Sequence, residues 1–432
     1  KCGCGGCNMD ADFMVRLEKV REEWYRQSNR KLKVNSGYRC KNHNRHVSRF
    51  AQKDGSGPHT MGKAIDIAIS GTKIAKVSKS IDESKSKQTI DAKDLIICPG
   101  LIDIHAHSFG YWEAIFPDEM CLPYGTTTML DAGGPGWKTF DRMKDDVIRK
   151  SKTRVFSLLN IVGSGMIMDG EQNVSDMDPE ATAAKINERK DMLVGVKVAH
   201  FEANSWEAIK NGKKAAEDSG TFIMVDQNPI SGRNMEVLLD KYMTSGDILT
   251  HVYAWGKPIL DNNKEVYKYF FEARKKGIIF DLGHGAGSFS FSMAKPAIDQ
   301  GFEPDTISTD HHRESLLTNH SNMPNCMSKM MALGISLNDV IKKSTYIPSK
   351  ILNRPELGHI GEGSEADIAV LKIHNGKFGL IDNGLTGNRK LITDKIIENQ
   401  ITIKSGKIVW DKEGYSYENY TNTPSPSYKD IE

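Results

Sequence analysis

The sequence predicts an α/β protein built on a (β/α)8 barrel of the TIM type. Two observations predict the barrel. Eight short apolar runs alternate with amphipathic stretches at a spacing of roughly 25–40 residues. Polar and ionisable residues then gather at the ends of those runs, where a barrel keeps its chemistry. A doubly wound open sheet alternates in the same way, but the eighth repeat and the polar strand ends favour the barrel. A third observation concerns the flanks. β-like runs lie both before and after the barrel region and can pair into one small β-sandwich, while the first 70 residues read as a separate α+β appendage.

Taken in order, the appendage opens with a helix over 10–27, where Phe13, Val15, Leu17, Val20 and Trp24 make an apolar stripe. Short β-like runs follow at 64–69, 73–77 and 89–92. The barrel strands are expected at 102–106, 126–130, 154–158, 193–198, 222–226, 247–251, 277–281 and 306–310. Helices between them are expected at 178–191, 205–219, 234–245, 265–276 and 290–300. Three further β-like runs, 366–372, 395–403 and 407–410, return the chain to the sandwich through turns at Asn383-Gly384 and Ser405-Gly406. The expected organisation is therefore an appendage at 1–70, a sandwich from 71–98 and 358–413, a barrel at 99–357, and a polar tail at 414–432.

Composition excludes several functions. The 432 residues carry 58 basic and 56 acidic side chains, a net charge of +2 that gives no reason to expect nucleic acid or an anionic membrane as partner. No apolar run approaches the roughly 20 residues that span a bilayer. No signal-peptide pattern follows Lys1, so the expected location is cytoplasmic. A homo-oligomer is compatible with this composition. The seven cysteines form no disulfide framework. Cys2, Cys4 and Cys7, with Cys40 as a fourth ligand, could form a small metal knot, although their spacing fits no standard zinc pattern.

The chemistry is concentrated at the strand ends. In the run Cys98-Pro-Gly-Leu-Ile-Asp-Ile-His-Ala-His107, an apolar strand delivers His105 and His107 two residues apart, hence on one face, as a pair able to grip one metal ion. Lys197 ends the fourth strand. A lysine buried there has a lowered pKa, and its neutral amine can take up carbon dioxide to form a carbamate that bridges two metals; the plainer alternative is a lysine paired with a carboxylate. Asp226, His251 and Asp310 end the fifth, sixth and eighth strands, and His284 follows the seventh. Each is weak alone. Their joint placement is the signal.

Pro99–His107 with Lys197, His251 and Asp310 resembles the amidohydrolase superfamily, in particular its dihydroorotase-like amidohydrolase/deacetylase branch. The runs 283–290, 307–311 and 357–370 carry the likeness further, from about residue 64 to 413. The resemblance implies that His105, His107 and Asp310 hold one metal and that carbamylated Lys197 bridges to a second held also by His251. At the end of strand five most of the superfamily has His, whereas this chain offers Asp226. If Asp226 ligates, the added negative charge favours harder metals such as manganese alongside zinc; otherwise one metal alone is held tightly. A second resemblance covers about residues 1–70. Ser56-Gly-Pro-His-Thr-Met-Gly-Lys-Ala-Ile-Asp66 and Ser36-Gly-Tyr-Arg39 are similar to the M15-type D-Ala-D-Ala carboxypeptidases. This implies one zinc held by His59 and Asp66 and a substrate-facing Arg39. The third zinc histidine of that family has no counterpart before the barrel, so this piece reads as a truncated remnant.

The reading is a metal-dependent amidohydrolase that cleaves a C–N amide bond, or an ester, of a small acylated molecule by metal-activated hydroxide. Its expected cofactors are two divalent ions, zinc or manganese, and carbon dioxide as lysine carbamate. Asp310 would carry the proton, and His284 would steady the oxyanion or a substrate carboxylate. The competing readings are peptidoglycan binding and zinc peptidase activity, both by the appendage.

Overall fold

The computed structural model describes residues 66–167, 170–256, 258–382, 387 and 389–422, together with the backbone of Lys31–Asn35. The expected helix at 10–27, Arg39, His59, Cys2, Cys4, Cys7, Cys40, the turn at Asn383-Gly384 and the end of the polar tail lie outside the described residues.

The barrel is a sheet of seven parallel strands in sequence order. They are β6 (Leu101–Ala106), β7 (Thr126–Asp131), β8 (Arg154–Asn160), β9 (Leu193–Ala199), β10 (Phe222–Asp226), β11 (Ile248–Leu249) and β12 (Ile279–Phe280). The segment expected as an eighth strand, 306–310, is extended but forms only single bridges, Asp281 to Thr306 and Ala106 to His311. Those bridges close the circle. The ladder is thin here because side chains replace it: Thr306 and Ser308 donate to the Asp281 carboxylate, and Thr309 donates to Asp103. β11 and β12 are also shorter than their apolar runs suggest.

Helices such as Pro179–Glu188, Glu207–Ser219 and Phe291–Asp299 cover the barrel. Their apolar sides join one core with Val196, Val198, Ile223 and Leu249. Gly212 lets one helix approach closely, since a Cβ there would lie 2.4 Å from a Val198 methyl. The expected helix at 234–245 is a single turn, Met235–Val237, that runs into a five-residue π-helix. A second buried cluster, including Ile104, Leu130, Leu158, Met224 and Ile248, comes from the barrel strands themselves.

Two four-stranded sheets form the sandwich. One has the order β3-β2-β1-β4, from Lys73–Ser78, Asp66–Ser70, Lys31–Asn35 and Gln88–Asp91. The other is β15-β14-β13-β5, from Lys407–Asp411, Lys390–Lys404, Ile368–Ile381 and Ile96–Pro99. Ile67, Ile69, Ile74 and Ile90 of the first meet Ile368, Val370, Ile401 and Ile403 of the second. The first sheet thus draws strands from both sides of residue 70. The β13–β14 hairpin is much longer than expected from its apolar halves. It carries register shifts at Val370/Leu371 and Asn375/Phe378, and its far end reaches the barrel, where Asp382 accepts from the Phe291 amide at 3.0 Å.

Candidate active site

Five of the expected residues meet at one end of the barrel around a buried Lys197. His107 Nε2 lies 3.0 Å from Asp310 Oδ1, and His105 Nε2 lies 3.5 Å from the same oxygen. His251 Nε2 lies 3.3 Å from Asp226 Oδ2. Lys197 Nζ sits between these groups, 3.2 Å from His105 Nε2 and 3.6 Å from Met224 Sδ. Among the described residues no carboxylate lies within ion-pair distance of it, although Asp226 and Asp310 are close enough for their charges to act on it. Burial pushes its pKa down. Gly133 makes room for the lysine stem: a Cβ there would lie 2.4 Å from the Lys197 Cβ, and its φ of +86° suits glycine.

The histidine tautomers follow from their outer partners. His105 Nδ1 donates to Thr250 Oγ1 at 2.8 Å, because that hydroxyl spends its own proton on Asp281 Oδ2 at 2.8 Å. His251 Nδ1 donates to the Gly283 carbonyl at 2.6 Å. Both rings therefore present an Nε2 lone pair to the centre, as metal-binding imidazoles do. Gly283 permits the second contact, since a Cβ there would lie 2.7 Å from His251 Nδ1. Burial, with the Lys197 charge beside it, lowers the His105 pKa to about 3 and keeps the ring neutral. Burial works the other way on Asp310, but His105 and His107 outweigh it and hold the carboxyl well below the usual range.

His105, His251 and Asp310 form a buried cluster with the spacing of a metal site. The donor chemistry fits a divalent ion. Ligand atoms about 2.0–2.2 Å from a tetrahedral ion stand about 3.3–3.6 Å apart; the cluster's atoms lie within 4.8 Å of one another, and the neighbouring pairs His107–Asp310, His251–Asp226 and His105–Asp310 span 3.0, 3.3 and 3.5 Å. The cavity holds about 110 Å³, and Tyr111, Met166, His200, Ser288 and His312 complete its wall.

Four residues differ from expectation or go beyond it. His284 does not reach the cavity. It is fully buried, its Nδ1 donates to the Gly285 carbonyl at 2.9 Å, its Nε2 accepts from Lys329 Nζ at 2.9 Å, and its ring stacks on Phe289. With both nitrogens occupied it holds no oxyanion, and that expected role is withdrawn. His200, three residues past Lys197, does reach the cavity, as does His312, whose Nδ1 meets Glu113 at 2.6 Å. One signal for them was available, their position just beyond strand-end residues already singled out. Asp66, expected as a zinc ligand, is buried and accepts from the Ile81 amide at 2.8 Å.

The Lys329–His284 contact has a measurable consequence. Burial lowers the Lys329 pKa from 10.5 to about 8. Between those values the unfolded chain binds more protons than the folded one, so stability rises with pH across that window. Relative to Lys329→Met, the wild type should gain about 3 kcal/mol of unfolding free energy between pH 8 and pH 10.5. Urea denaturation of both proteins across this range checks it; parallel profiles would mean that Lys329 titrates normally.

The chain is similar to several known proteins. The Amidohydrolase family model matches residues 291–409, and the Peptidase M15 model matches residues 1–93. A deacetylase of Agrobacterium fabrum is 28% identical over 386 residues, covering 84% of this chain and 94% of that protein. A deacetylase of Enterococcus faecalis is 29% identical over 350 residues, covering 77% and 92%. The crystal structure of an adenine deaminase superposes with a TM-score of 0.77 at 25% identity, over 89% of this chain and all of that one. The barrel fits the amidohydrolase superfamily. With that family goes the reaction class, hydrolysis of carbon–nitrogen bonds. A dihydroorotase structure, at 24% identity and a TM-score of 0.73 over 89% of this chain and 98% of that one, shares the amidohydrolase fold. No helix among the described residues is long and apolar enough to cross a membrane.

Proposed function

We propose that the chain is a metal-dependent deacetylase or related amidohydrolase that cleaves the C–N amide bond, or an ester bond, of a small N-acylated molecule. The observation that carries this is the convergence of three imidazoles and two carboxylates on one buried lysine. His105, His107 and Asp310 would hold one divalent ion, Asp226 and His251 a second, and Lys197, as its carbamate, would lie between them. Zinc suits these nitrogen and oxygen donors, with manganese the alternative. Bound ions supply Lewis-acid polarisation of the scissile carbonyl and a lowered pKa for water. Asp310, ionised and at the cavity, takes the proton from the attacking water and delivers it to the leaving nitrogen. Tyr111 and His312 face the substrate from the wall. The names of the Agrobacterium and Enterococcus relatives favour an acetyl group. The test is acetate release from a panel of N-acetyl amino acids, amines and sugars by metal-loaded and chelated protein. Release that is equal in both would reject the reading.

Asp226 tunes the site. Two divalent ions would face the carbamate, Asp226 and Asp310, and Asp226→His would remove one of those anions. Water beside the ions should then become more acidic. The pH optimum is expected to move down with metal content unchanged. An unaltered pH–rate profile at equal metal content would remove Asp226 from the ligand set.

A further inference from the structure

At the end of β10 stands an aspartate, and the imidazole that faces its carboxylate from the neighbouring loop is His200. His200 Nε2 lies 3.1 Å from Asp226 Oδ2, and His251 Nε2 lies 3.3 Å from the same oxygen. These donors come from the ends of three consecutive barrel strands, β9, β10 and β11. Their separations are close to the roughly 3.3 Å edge of a tetrahedral zinc set. His200 is also built into place. Its Nδ1 donates to Glu171 Oε2 at 2.7 Å, and Asn160 Nδ2 donates to the other Glu171 oxygen at 2.7 Å. Gln172 and Asn228 donate to its backbone carbonyl at 2.9 and 3.1 Å. Eight non-glycine residues described have positive φ, and His200, at 53°, shares that strained backbone with His251 and Asp310.

We propose that His200 is a ligand of the second metal, supplied by the loop after β9 and oriented by Glu171. This rests on the metal-dependent reading above. Glu171, His200 and the ion would form a carboxylate–histidine–metal relay, in which the carboxylate fixes the tautomer and raises the basicity of the ligand. The aspartate at the end of β10 thus gains an imidazole from the adjacent strand, and the second ion keeps two nitrogen donors, His251 and His200.

Cobalt(II) titration of the full chain, followed by visible d–d absorption and metal analysis, tests the assignment. The wild type should take up about two equivalents. His200→Ala should retain the first and bind the second at least about tenfold more weakly. His200→Ala leaves the buried Glu171 and Asp226 carboxylates without their imidazole partner, so thermal melting of each metal-free variant is measured first and affinities are compared between folded proteins. Free imidazole should restore the second equivalent in His200→Gly. Glu171→Gln, which alters a positioning residue, should weaken the second equivalent about 10–100-fold. If His200→Ala binds both equivalents with wild-type affinity and spectrum, His200 is no ligand and the metal-dependent reading still stands. A wild-type chain that takes up no cobalt overturns both.

Discussion

Lys197→Ala is expected to lose the metal that a Lys197 carbamate would bridge and to reduce amide hydrolysis by at least about 10³-fold, a barrier increase of about 4 kcal/mol. The expectation rests on what surrounds the side chain. Lys197 is buried, has no carboxylate within ion-pair distance among the described residues, and lies 3.2 Å from the nitrogen that His105 turns toward the centre. A permanent ammonium there would repel a metal ion and compete with it for the carboxylates and the His105 lone pair. Burial lowers the pKa, which frees the amine to add carbon dioxide, releasing a proton and leaving an anion with two oxygens. A short-chain carboxylate in the buffer should partly rescue the variant by filling the space of the missing anion. Full metal content and full activity in Lys197→Ala would remove the bridge.

Asp310→Asn is expected to lower kcat by about 10²–10⁴-fold, the range spanned by loss of a positioned proton carrier. Its carboxylate faces His105 and His107 and lines the cavity. The amide keeps the shape but can neither accept the water proton nor pass it to the leaving nitrogen. The variant must be compared at equal metal content, because asparagine is also a weaker ligand. Activity within tenfold of wild type, with metals bound, would move the proton to another group on the wall, His312 or Tyr111.

Much of this was legible in the sequence, because barrel strands announce themselves as apolar runs and their ends as sites of unusual polarity. β10 falls where its run places it, and β6 to β9 are found within a residue or two at each end. The closing segment was harder to read. Thr306, Ser308 and Thr309 form hydrogen bonds through their side chains to Asp281 and Asp103 in place of a full ladder, and no alternation of apolar residues records that. The long β13–β14 hairpin was also missed, since its outer half, with His374, Asn375 and Lys377, reads as polar loop.

At the site, residues carried by strand ends were readable, whereas roles set by loops were not. His107, Lys197, Asp226, His251 and Asp310 converge as their positions suggested. His284 looked equivalent, but Lys329 and Gly285, distant or silent in the sequence pattern, occupy both its nitrogens. His200 reaches the cavity only because a left-handed backbone turn swings it back beside Asp226, and spacing alone does not encode such a turn.

The central claim is that divalent metal at this site is required for C–N hydrolysis. It is tested most directly by stripping the full chain with a chelator, reconstituting it with zinc or manganese in bicarbonate, and measuring acetate release against bound metal. The account predicts about two equivalents per chain and activity that rises with them from near zero. Stripped protein that hydrolyses its substrate at the full rate would contradict it.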